Sequence, residues 1–327
     1  MTKVYIIITP YQLLISITKT ILAHRIGRDV LIVCDKREIQ SVFLNNARCV
    51  FKDVIVIKKR PPVFYLNILL WRNRISRRIP FLFNMLKRYI ELDESYFKNK
   101  EIFIFNDLSA IGCLLNLSKI KYNLIEDGLN LFQHELHFEN SRCSFHKIWD
   151  SILGVSWKSF GQSKLTKTIE VNDGQNLCIK HPNILVVNRA QLFRSLTQDD
   201  INMIAQIFGY QPTGCEISEE STLLLTQPLA EDNLLSHSKK IALYQYLVKK
   251  YNVGKLYIKV HPREREDYTK IFPNAVILGN NGVPFELLQL KEDFHFKRAI
   301  TAFSTAIDAV FCADEKIQMG QEWTLNF

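Results

Sequence analysis

The chain has 327 residues, of which 47% are hydrophobic and 23% charged, with 42 basic and 33 acidic side chains. This length predicts about two domains, and the composition excludes intrinsically disordered and collagen-like classes. The seven cysteines form no CxxC pair, so the sequence indicates neither a zinc ribbon nor a disulfide framework and fits a reducing cytoplasm. No apolar run approaches the ~20 residues that span a bilayer.

Apolar, β-branched runs alternate with amphipathic stretches through the first half of the chain. Continuous apolar strands between helices are typical of a parallel sheet covered on both faces. Proline is favoured in a first helical turn, so Thr9-Pro10 predicts a helix that continues through Ile21. A second helix is predicted over Leu108–Leu117. The predicted strands are Val4–Ile8, Val30–Cys34, Val54–Ile57, Ile102–Phe105 and Tyr122–Ile125.

A basic segment, residues 58–88, contains nine lysines and arginines, no acidic residue and many large apolar side chains. It therefore accounts for the whole formal charge of +9. Such a segment is suited to an anionic membrane surface. The ordinary structural interpretation, a helical hairpin whose apolar face packs inward while its charges are solvated, is favoured over it. A nucleic-acid partner is disfavoured because no zinc finger, aromatic RNA-binding signature or helix-turn-helix pattern accompanies the charge.

The same alternation restarts after a more polar interval near residues 190–220. A helix is predicted from about Asp232 to Lys250. We therefore expect two doubly wound α/β domains, residues 1–210 and 211–327, with ligands in a cleft at the carboxyl ends of their strands. The predicted strands of the second domain are Thr222–Leu225, Lys255–Val260, Val276–Leu278 and Arg298–Ala302.

Polar clusters follow four of these strands and predict a composite active site. A strand-end carboxylate can serve as a general base, a histidine can meet a phosphate or act as an acid, and hydroxyls at a helix N-terminus can hold a phosphate. Each cluster also has an ordinary structural interpretation as a turn, a capping residue or an N-cap. The clusters are Glu126-Asp127-Gly128, Thr226-Gln227, His261-Pro262 and Ser304-Thr305, and Pro284-Phe285-Glu286 begins a further predicted helix.

Several motifs are absent. Without GxxxxGKS or GxGxxG loops, ATPase and Rossmann dehydrogenase functions lose their main support, and HExxH and GxSxG are missing too. The sequence has no Asp-x-Asp pair, which metal-dependent sugar-nucleotide transferases use to hold a divalent ion. A donor with a single phosphate, used without a metal, suits this set of residues best.

The ordered set of motifs resembles the bacterial sialyltransferases, and in particular glycosyltransferase family 52, which includes lipooligosaccharide and capsule sialyltransferases. The resemblance covers nearly the whole chain. It implies a GT-B architecture, in which two Rossmann-like domains face each other across a cleft. The matching motifs are Thr9-Pro10-Tyr11-Gln12, Glu126-Asp127-Gly128, His261-Pro262, Pro284-Phe285-Glu286-Leu287-Leu288 and Ser304-Thr305.

The resemblance also implies an activity: inverting transfer of N-acetylneuraminic acid from CMP-N-acetylneuraminic acid (CMP-Neu5Ac), with no metal or other cofactor. The implied acceptor is a terminal galactose of a bacterial capsule or lipooligosaccharide, joined through an α2,3 linkage. The resemblance allows a homodimer and a cytoplasmic enzyme peripheral to the inner face of the membrane. By position, Asp127 is the implied base, His261 meets the departing CMP phosphate, Glu286 bonds the cytidine, and Ser304 and Thr305 bond the phosphate; Pro262, Phe285, Thr226 and Gln227 complete the expected donor site.

Some relatives carry an acidic residue just after the first strand of the second domain, placed to act as base. Here the corresponding loop has Glu231 and Asp232, so these two residues and Glu126 are alternative bases or acceptor ligands. Two other functions stay open: a related transferase that uses another nucleotide sugar, and a non-catalytic sugar-nucleotide or glycan-binding protein of the same fold. A non-catalytic relative would be expected to lose at least one of the site motifs, and here all are intact.

Overall fold

The structure is a computed structural model, and it describes residues 1–34, 39–57, 90–107, 109–127, 161, 163–175, 177, 179–211, 217, 220–279, 282–292 and 294–327. The basic segment 58–88 and Gly128 lie outside the described residues. The chain divides into two compact units, Met1–Ser195 and Leu196–Phe327. The predicted boundary after residue 210 falls within the second unit, because helix Gln198–Ile207 packs against helix Phe285–Lys291 of that unit.

Within the described residues, seven parallel strands form the sheet of the first unit, in the order β3-β2-β1-β4-β5-β6-β7. All five strands predicted for this half are present, shifted by one residue at most. The strand order reverses between β1 and β4, the switch point at which such sheets bind ligands. The strands are β1 (Lys3–Ile7), β2 (Val30–Val33), β3 (Asp53–Val56), β4 (Glu101–Ile104), β5 (Tyr122–Ile125), β6 (Thr166–Val171) and β7 (Ile184–Val186).

Four of the five described helices of the first unit, all except Ser41–Asn46, begin at side-chain caps. Thr9 caps α1 by accepting from the Gln12 N–H at 3.3 Å, and Ser109 caps α4 by accepting from the Gly112 N–H at 3.1 Å. Such caps satisfy backbone donors that the first helical turn leaves free. The described helices are α1 (Pro10–Leu22), α2 (Ser41–Asn46), α3 (Glu94–Phe97), α4 (Ala110–Leu117) and α5 (Arg189–Arg194).

Five described strands form the parallel sheet of the second unit, in the order β10-β9-β8-β11-β12. Its switch point lies between β8 and β11, and Leu224, Tyr244, Ile258 and Ile300 belong to the core on one face. The elements are α6 (Gln198–Ile207), β8 (Ser221–Leu225), α7 (His237–Tyr251), β9 (Lys255–Lys259), α8 (Tyr268–Ile271), β10 (Val276–Ile277), α9 (Phe285–Lys291), β11 (Phe296–Thr301), β12 (Ala313–Gln318) and α10 (Gln321–Leu325).

Three features of the fold differ from the sequence-based expectations. Helix α7, predicted from about Asp232, begins at His237, because Ser236 is its N-cap and accepts from the Lys239 N–H. The helix expected after Ser304 is a five-residue 3₁₀ helix, Thr305–Ala309, because the backbone is already extended at Val310. Strands β6, β7 and β12 were not predicted, since polar residues interrupt β6 and β12 and β7 has three residues. The predicted class, two doubly wound α/β units with parallel sheets, is confirmed. No helix in the described part of the chain is both long and apolar enough to cross a bilayer.

Candidate active site

Asp127 follows strand β5 and is held by Gln12 of helix α1. The Gln12 Nε2 atom donates to Asp127 Oδ2 at 2.5 Å. The orientation of the Gln12 amide is fixed, because its Oε1 atom accepts from the backbone N–H groups of Ile8 and Thr9 at 2.6 and 3.3 Å. Gln12 is buried and Asp127 is partly buried. The first helical turn of α1 therefore sets the position of the Asp127 carboxylate.

A largely buried group of charges lies at the same edge of the first sheet as Asp127, since Glu170 of strand β6 pairs with Ile125 at the end of β5. Glu170 accepts from Lys19 Nζ at 2.5 Å and from Arg189 Nη1 at 2.6 Å. Two cations thus share one carboxylate. Burial lowers the pKa of Lys19. Burial alone would raise the pKa of Glu170, but the charges of Lys19 and Arg189 outweigh that effect and lower it. Glu126, one of the alternative bases, accepts from the Asn172 N–H at 2.5 Å, which ties strand β5 to the end of β6.

His261 follows strand β9, and its ring is held by the turn that begins there. The Arg263 N–H donates to His261 Nδ1 at 3.2 Å. The His261 N–H donates in turn to Thr226 Oγ1 and Glu264 Oε2, at 3.1 and 3.2 Å. Burial, followed by the charges of Arg263 and Lys259, lowers the pKa of His261 to about 4. The imidazole is therefore neutral at pH 7. Pro262 is exposed.

Behind His261, Lys240 lies fully buried among three carboxylates. Its Nζ atom is 2.6 Å from Glu266, 3.1 Å from Glu231 and 3.3 Å from Glu264. Burial raises the pKa of Glu264, which also accepts from the Thr226 and Tyr268 hydroxyls. We call Lys240, Glu231, Glu264 and Glu266 the Lys240 network. It joins helix α7 to the loops that follow β8 and β9.

Both alternative bases of the second unit take part in ion pairs. Asp232 accepts from Arg263 Nη1 and Nη2 at 2.5 and 3.0 Å. Glu231 pairs with Lys240 and also accepts from the Arg265 N–H at 3.3 Å. Burial favours the neutral form of Glu231, but hydrogen bonds from backbone N–H groups and from Lys240 outweigh that effect and lower its pKa. The lowered pKa makes the Glu231 carboxylate a weaker proton acceptor.

A buried lysine and a buried glutamate lie on neighbouring elements of the second unit. Lys259 ends strand β9 and is 8% exposed, and Glu286 lies in the first turn of α9 and is also 8% exposed. Burial lowers the pKa of Lys259 to about 8, while the charge of Glu286 favours its protonated form. Burial raises the pKa of Glu286. Phe285, which precedes Glu286, is buried as well.

The remaining predicted residues lie at the ends of β8 and β11, on either side of the switch point. Gln227 joins these strand ends, because its Oε1 atom accepts from the Phe303 N–H at 2.8 Å. Ser304 is partly buried and accepts from the Ala306 N–H at 3.2 Å, and Thr305 begins the 3₁₀ helix. Thr226 is 4% exposed. Its hydroxyl donates to Glu264 and accepts from the His261 N–H at 3.1 Å, and these two hydrogen bonds hold the His261 backbone.

Sequence reasoning missed several residues of these two edges, among them Gln12, Lys259 and Lys240. Gln12 was noted only as part of a motif, although its place three residues after an N-cap threonine is typical of a capping box. Lys259 lies two residues before His261 in a period-two strand, so the spacing places the two residues on the same side of the chain. Lys240 carries no signal in the sequence, because exposed Lys239 precedes it in the same polar helix.

Comparison with known proteins assigns the chain to a family. The model of glycosyltransferase family 52 matches residues 74–318, about three quarters of the chain. The chain belongs to glycosyltransferase family 52. An uncharacterized protein of Haemophilus influenzae is 33% identical over 240 residues, which cover 72% of each chain. The family makes the protein a glycosyltransferase.

Solved structures of sialyltransferases share the fold of this family 52 chain. An α/β-galactoside α2,3-sialyltransferase of Photobacterium phosphoreum is similar with a TM-score of 0.60 and 15% identity, over 97% of this chain and 90% of its own. A 2,6-sialyltransferase of a Photobacterium species, solved with the donor product CMP and the acceptor substrate lactose, gives a TM-score of 0.54 and 11% identity, over 97% and 71%. The GT-B class implied by the motifs is confirmed.

Proposed function

We propose that this family 52 member is an inverting sialyltransferase. It moves N-acetylneuraminic acid from CMP-Neu5Ac to a terminal galactose, through an α2,3 linkage, on a bacterial capsule or lipooligosaccharide. The observation that carries the proposal is the placement of Thr226-Gln227, His261 and Ser304 at the ends of three neighbouring strands around the switch point of the second sheet. Nucleotides bind at this place in α/β sheets. CMP and lactose bound to the Photobacterium 2,6-sialyltransferase support this choice of donor and acceptor.

The donor half of the reaction requires stabilisation of a phosphate that gains negative charge. The bond between the anomeric carbon and the phosphate oxygen breaks through an oxocarbenium-like state, and its electron pair stays on that oxygen. Preorganised donors aimed at such charge are a large source of catalysis. We assign this role to His261, Ser304 and Thr305. Glu286 is the proposed contact of the cytidine, and Lys259 adds a positive charge at the same edge.

The acceptor half requires a base for the galactose hydroxyl. That oxygen forms the new bond to the anomeric carbon, and its proton passes to the base, a step that contributes about 10²–10⁴-fold. We assign the base to Asp127. Two contacts support this choice over the alternatives: Glu231 is paired with Lys240, and Asp232 with Arg263. Glu126 and Asp127 each accept from a neutral N–H, of Asn172 and of Gln12, so between these two the choice rests on the motif position of Asp127.

We propose that the reaction needs no divalent metal. Glu231, Glu264 and Glu266 present oxygens within 4.8 Å of one another, a spacing that would suit a cation. The Lys240 ammonium lies among these oxygens, at 2.6–3.3 Å, and supplies the positive charge that a metal would bring. This contact supports metal-free transfer.

We further propose that the basic segment 58–88 binds an anionic membrane surface.

Calorimetry and a turnover assay test the proposed function. The purified chain should bind CMP in preference to UDP, and it should release CMP from CMP-Neu5Ac faster when lactose is added, with and without EDTA. Asp127→Asn should lose about 10²–10⁴-fold in transfer while it retains CMP binding, because it removes only the base. Binding of UDP alone would favour another donor. CMP binding with no lactose-dependent release would favour the non-catalytic binder.

A further inference from the structure

A backbone hydrogen bond sets the protonation state of one of the two ring nitrogens of His261. Pro262 has no N–H, so the first backbone donor after His261 belongs to Arg263, and this N–H donates to Nδ1 at 3.2 Å. An imidazole nitrogen that accepts a hydrogen bond carries no proton. The neutral ring must then carry its proton on Nε2. We infer that His261 acts as a neutral hydrogen-bond donor, through Nε2–H, toward the departing phosphate of the proposed sialyl transfer, on which this inference rests.

Protonation of this ring would be opposed by its surroundings. An imidazolium has a proton on both nitrogens, so the Nδ1 proton would point at the Arg263 N–H, and two donors would meet at 3.2 Å. The surrounding charges act in the same direction. Arg263 and Lys259 repel a proton on the ring, and burial disfavours the charged form.

The neighbouring carboxylates do not offset this effect. Asp232 and Glu231 favour a charged His261, but Asp232 is paired with Arg263 and Glu231 with Lys240. Glu264 accepts from the His261 backbone N–H and not from its ring. Among the residues that the structure describes, no carboxylate is hydrogen-bonded to the imidazole. The pKa of His261, lowered to about 4, agrees with this geometry.

A neutral donor is sufficient for the proposed chemistry. The electron pair of the broken bond stays on the phosphate oxygen, and the acceptor proton passes to Asp127. A phosphate monoester has a second pKa of about 6, so CMP can depart near pH 7 as a dianion without taking a proton. The proton balance therefore closes while His261 keeps its Nε2 proton throughout the transfer.

Nitrogen NMR of the full chain, with ¹⁵N-labelled histidine, tests the inference at pH 7, first free and then with CMP. The His261→Gln variant assigns the His261 signals among the eight histidines. We expect an unprotonated Nδ1 and a protonated Nε2 in both states. Arg263→Ala is the matched control, because it removes the charge but keeps the backbone N–H, and it should retain the same tautomer. An imidazolium, or a proton on Nδ1, would overturn the inference. Failure to bind CMP would refute CMP-Neu5Ac as the sugar donor instead. The tautomer of His261 in the free protein would still be measured in that case.

Turnover gives a second test. The Gln side chain can bring an amide N–H near the position of Nε2, whereas the shorter Asn reaches only the region of Nδ1. His261→Asn should therefore lose about 10²–10³-fold in kcat, as expected for loss of one preorganised donor, and His261→Gln should lose much less. Equal losses in both variants would contradict the inference. So would a fall in wild-type kcat as the pH rises over about 5–7, because an imidazolium acid would lose its proton there.

Discussion

At the scale of single residues, the buried side chains of Lys259 and Glu286 make the proposed CMP site sensitive to pH. Burial disfavours both charged forms: it lowers the pKa of Lys259 to about 8 and raises that of Glu286. Near pH 8 the lysine is therefore only partly charged in the free protein. A bound phosphate dianion favours the charged form, since an opposite charge raises the pKa of a lysine.

We predict that CMP binding takes up protons near pH 8 and weakens as the pH rises above it. The sign follows from Lys259, which is charged below its pKa and gains its proton when the anion binds. Calorimetry in buffers of different ionisation enthalpy should give up to about half a proton per CMP. Lys259→Met should abolish this uptake. Lys255→Met, at the exposed start of the same strand, should leave it intact. Equal uptake in both variants would remove Lys259 from the donor site.

The sequence identified residues at strand ends but not the residues that hold them. The sequence predicted Asp127, His261 and Ser304 as site residues because they follow apolar strands and belong to the matching motifs. An apolar run shows where a strand ends, and therefore which residues lie at the edge of the sheet. The position of Asp127 depends on a hydrogen bond from Gln12, a capping residue of helix α1 that lies 115 positions away in the sequence. The tautomer of His261 depends on one backbone N–H. Such contacts arise from the fold and leave no periodic signal in the sequence.

At the scale of elements, the Lys240 network joins helix α7 to the loops after β8 and β9. Lys240 has no exposed side-chain surface, and it faces three carboxylates. Glu264, part of this network, accepts from the His261 N–H, so the network also supports the backbone of His261, the proposed hydrogen-bond donor to the phosphate. A buried charge cluster of this kind is strongly destabilised when one partner is lost, because the remaining charges stay uncompensated.

We predict that Lys240→Met destabilises the protein by about 3–5 kcal/mol, measured by urea unfolding at pH 7. Burial already raises the pKa of Glu264, and without the ammonium less opposes that effect. Glu264 can then take up a proton in the folded state before it does in the unfolded chain, so the deficit should shrink as the pH falls toward about 5. Lys239→Met is the matched control, since Lys239 is exposed on the same helix, and its effect should stay within about 0.5 kcal/mol. A similar small effect for Lys240→Met would mean that the network contributes little to stability.

Strand prediction succeeded or failed according to whether polar residues interrupt the strand. Strands β1, β2, β5 and β8 are buried along almost their whole length, and they appear in the sequence as apolar runs. The edge strand β12 is mostly exposed and carries Asp314, Glu315 and Lys316. An edge strand has one partner and often carries charges that discourage pairing with other chains. The hydrophobic pattern therefore predicts unbroken apolar strands, including the edge strands β3 and β10, and misses strands that polar residues interrupt, such as the edge strand β12 and the interior strand β6.

At the scale of the whole molecule, the formal charge of +9 equals the nine basic residues of segment 58–88. The rest of the chain is therefore balanced. Basic residues near an anionic membrane contribute about 1 kcal/mol each. The prediction that this segment binds a membrane comes from the sequence, and the segment lies outside the described residues.

We predict that replacing Arg74, Arg77 and Arg78 by Glu reduces association with phosphatidylserine vesicles by at least about 10²-fold, as measured by co-sedimentation at low salt. CMP affinity should be unchanged. A charge-matched control replaces the exposed residues Lys239, Lys249 and Lys255 by Glu, and it should retain most of the vesicle binding. Equal losses in both variants would indicate a response to total charge. Unchanged binding in the arginine variant would favour the solvated hairpin.

The single amide of Gln12 both caps helix α1 and fixes the Asp127 carboxylate. Glu at this position would keep the cap acceptor but lose the N–H donor, Asn would be one methylene shorter, and Leu would provide neither contact. Position 12 is therefore constrained twice, by folding and, in the proposed mechanism, by turnover, and none of these three substitutions satisfies both constraints. Laboratory evolution toward new donors or acceptors should leave this residue fixed and find its variation in the loops that follow the other strands.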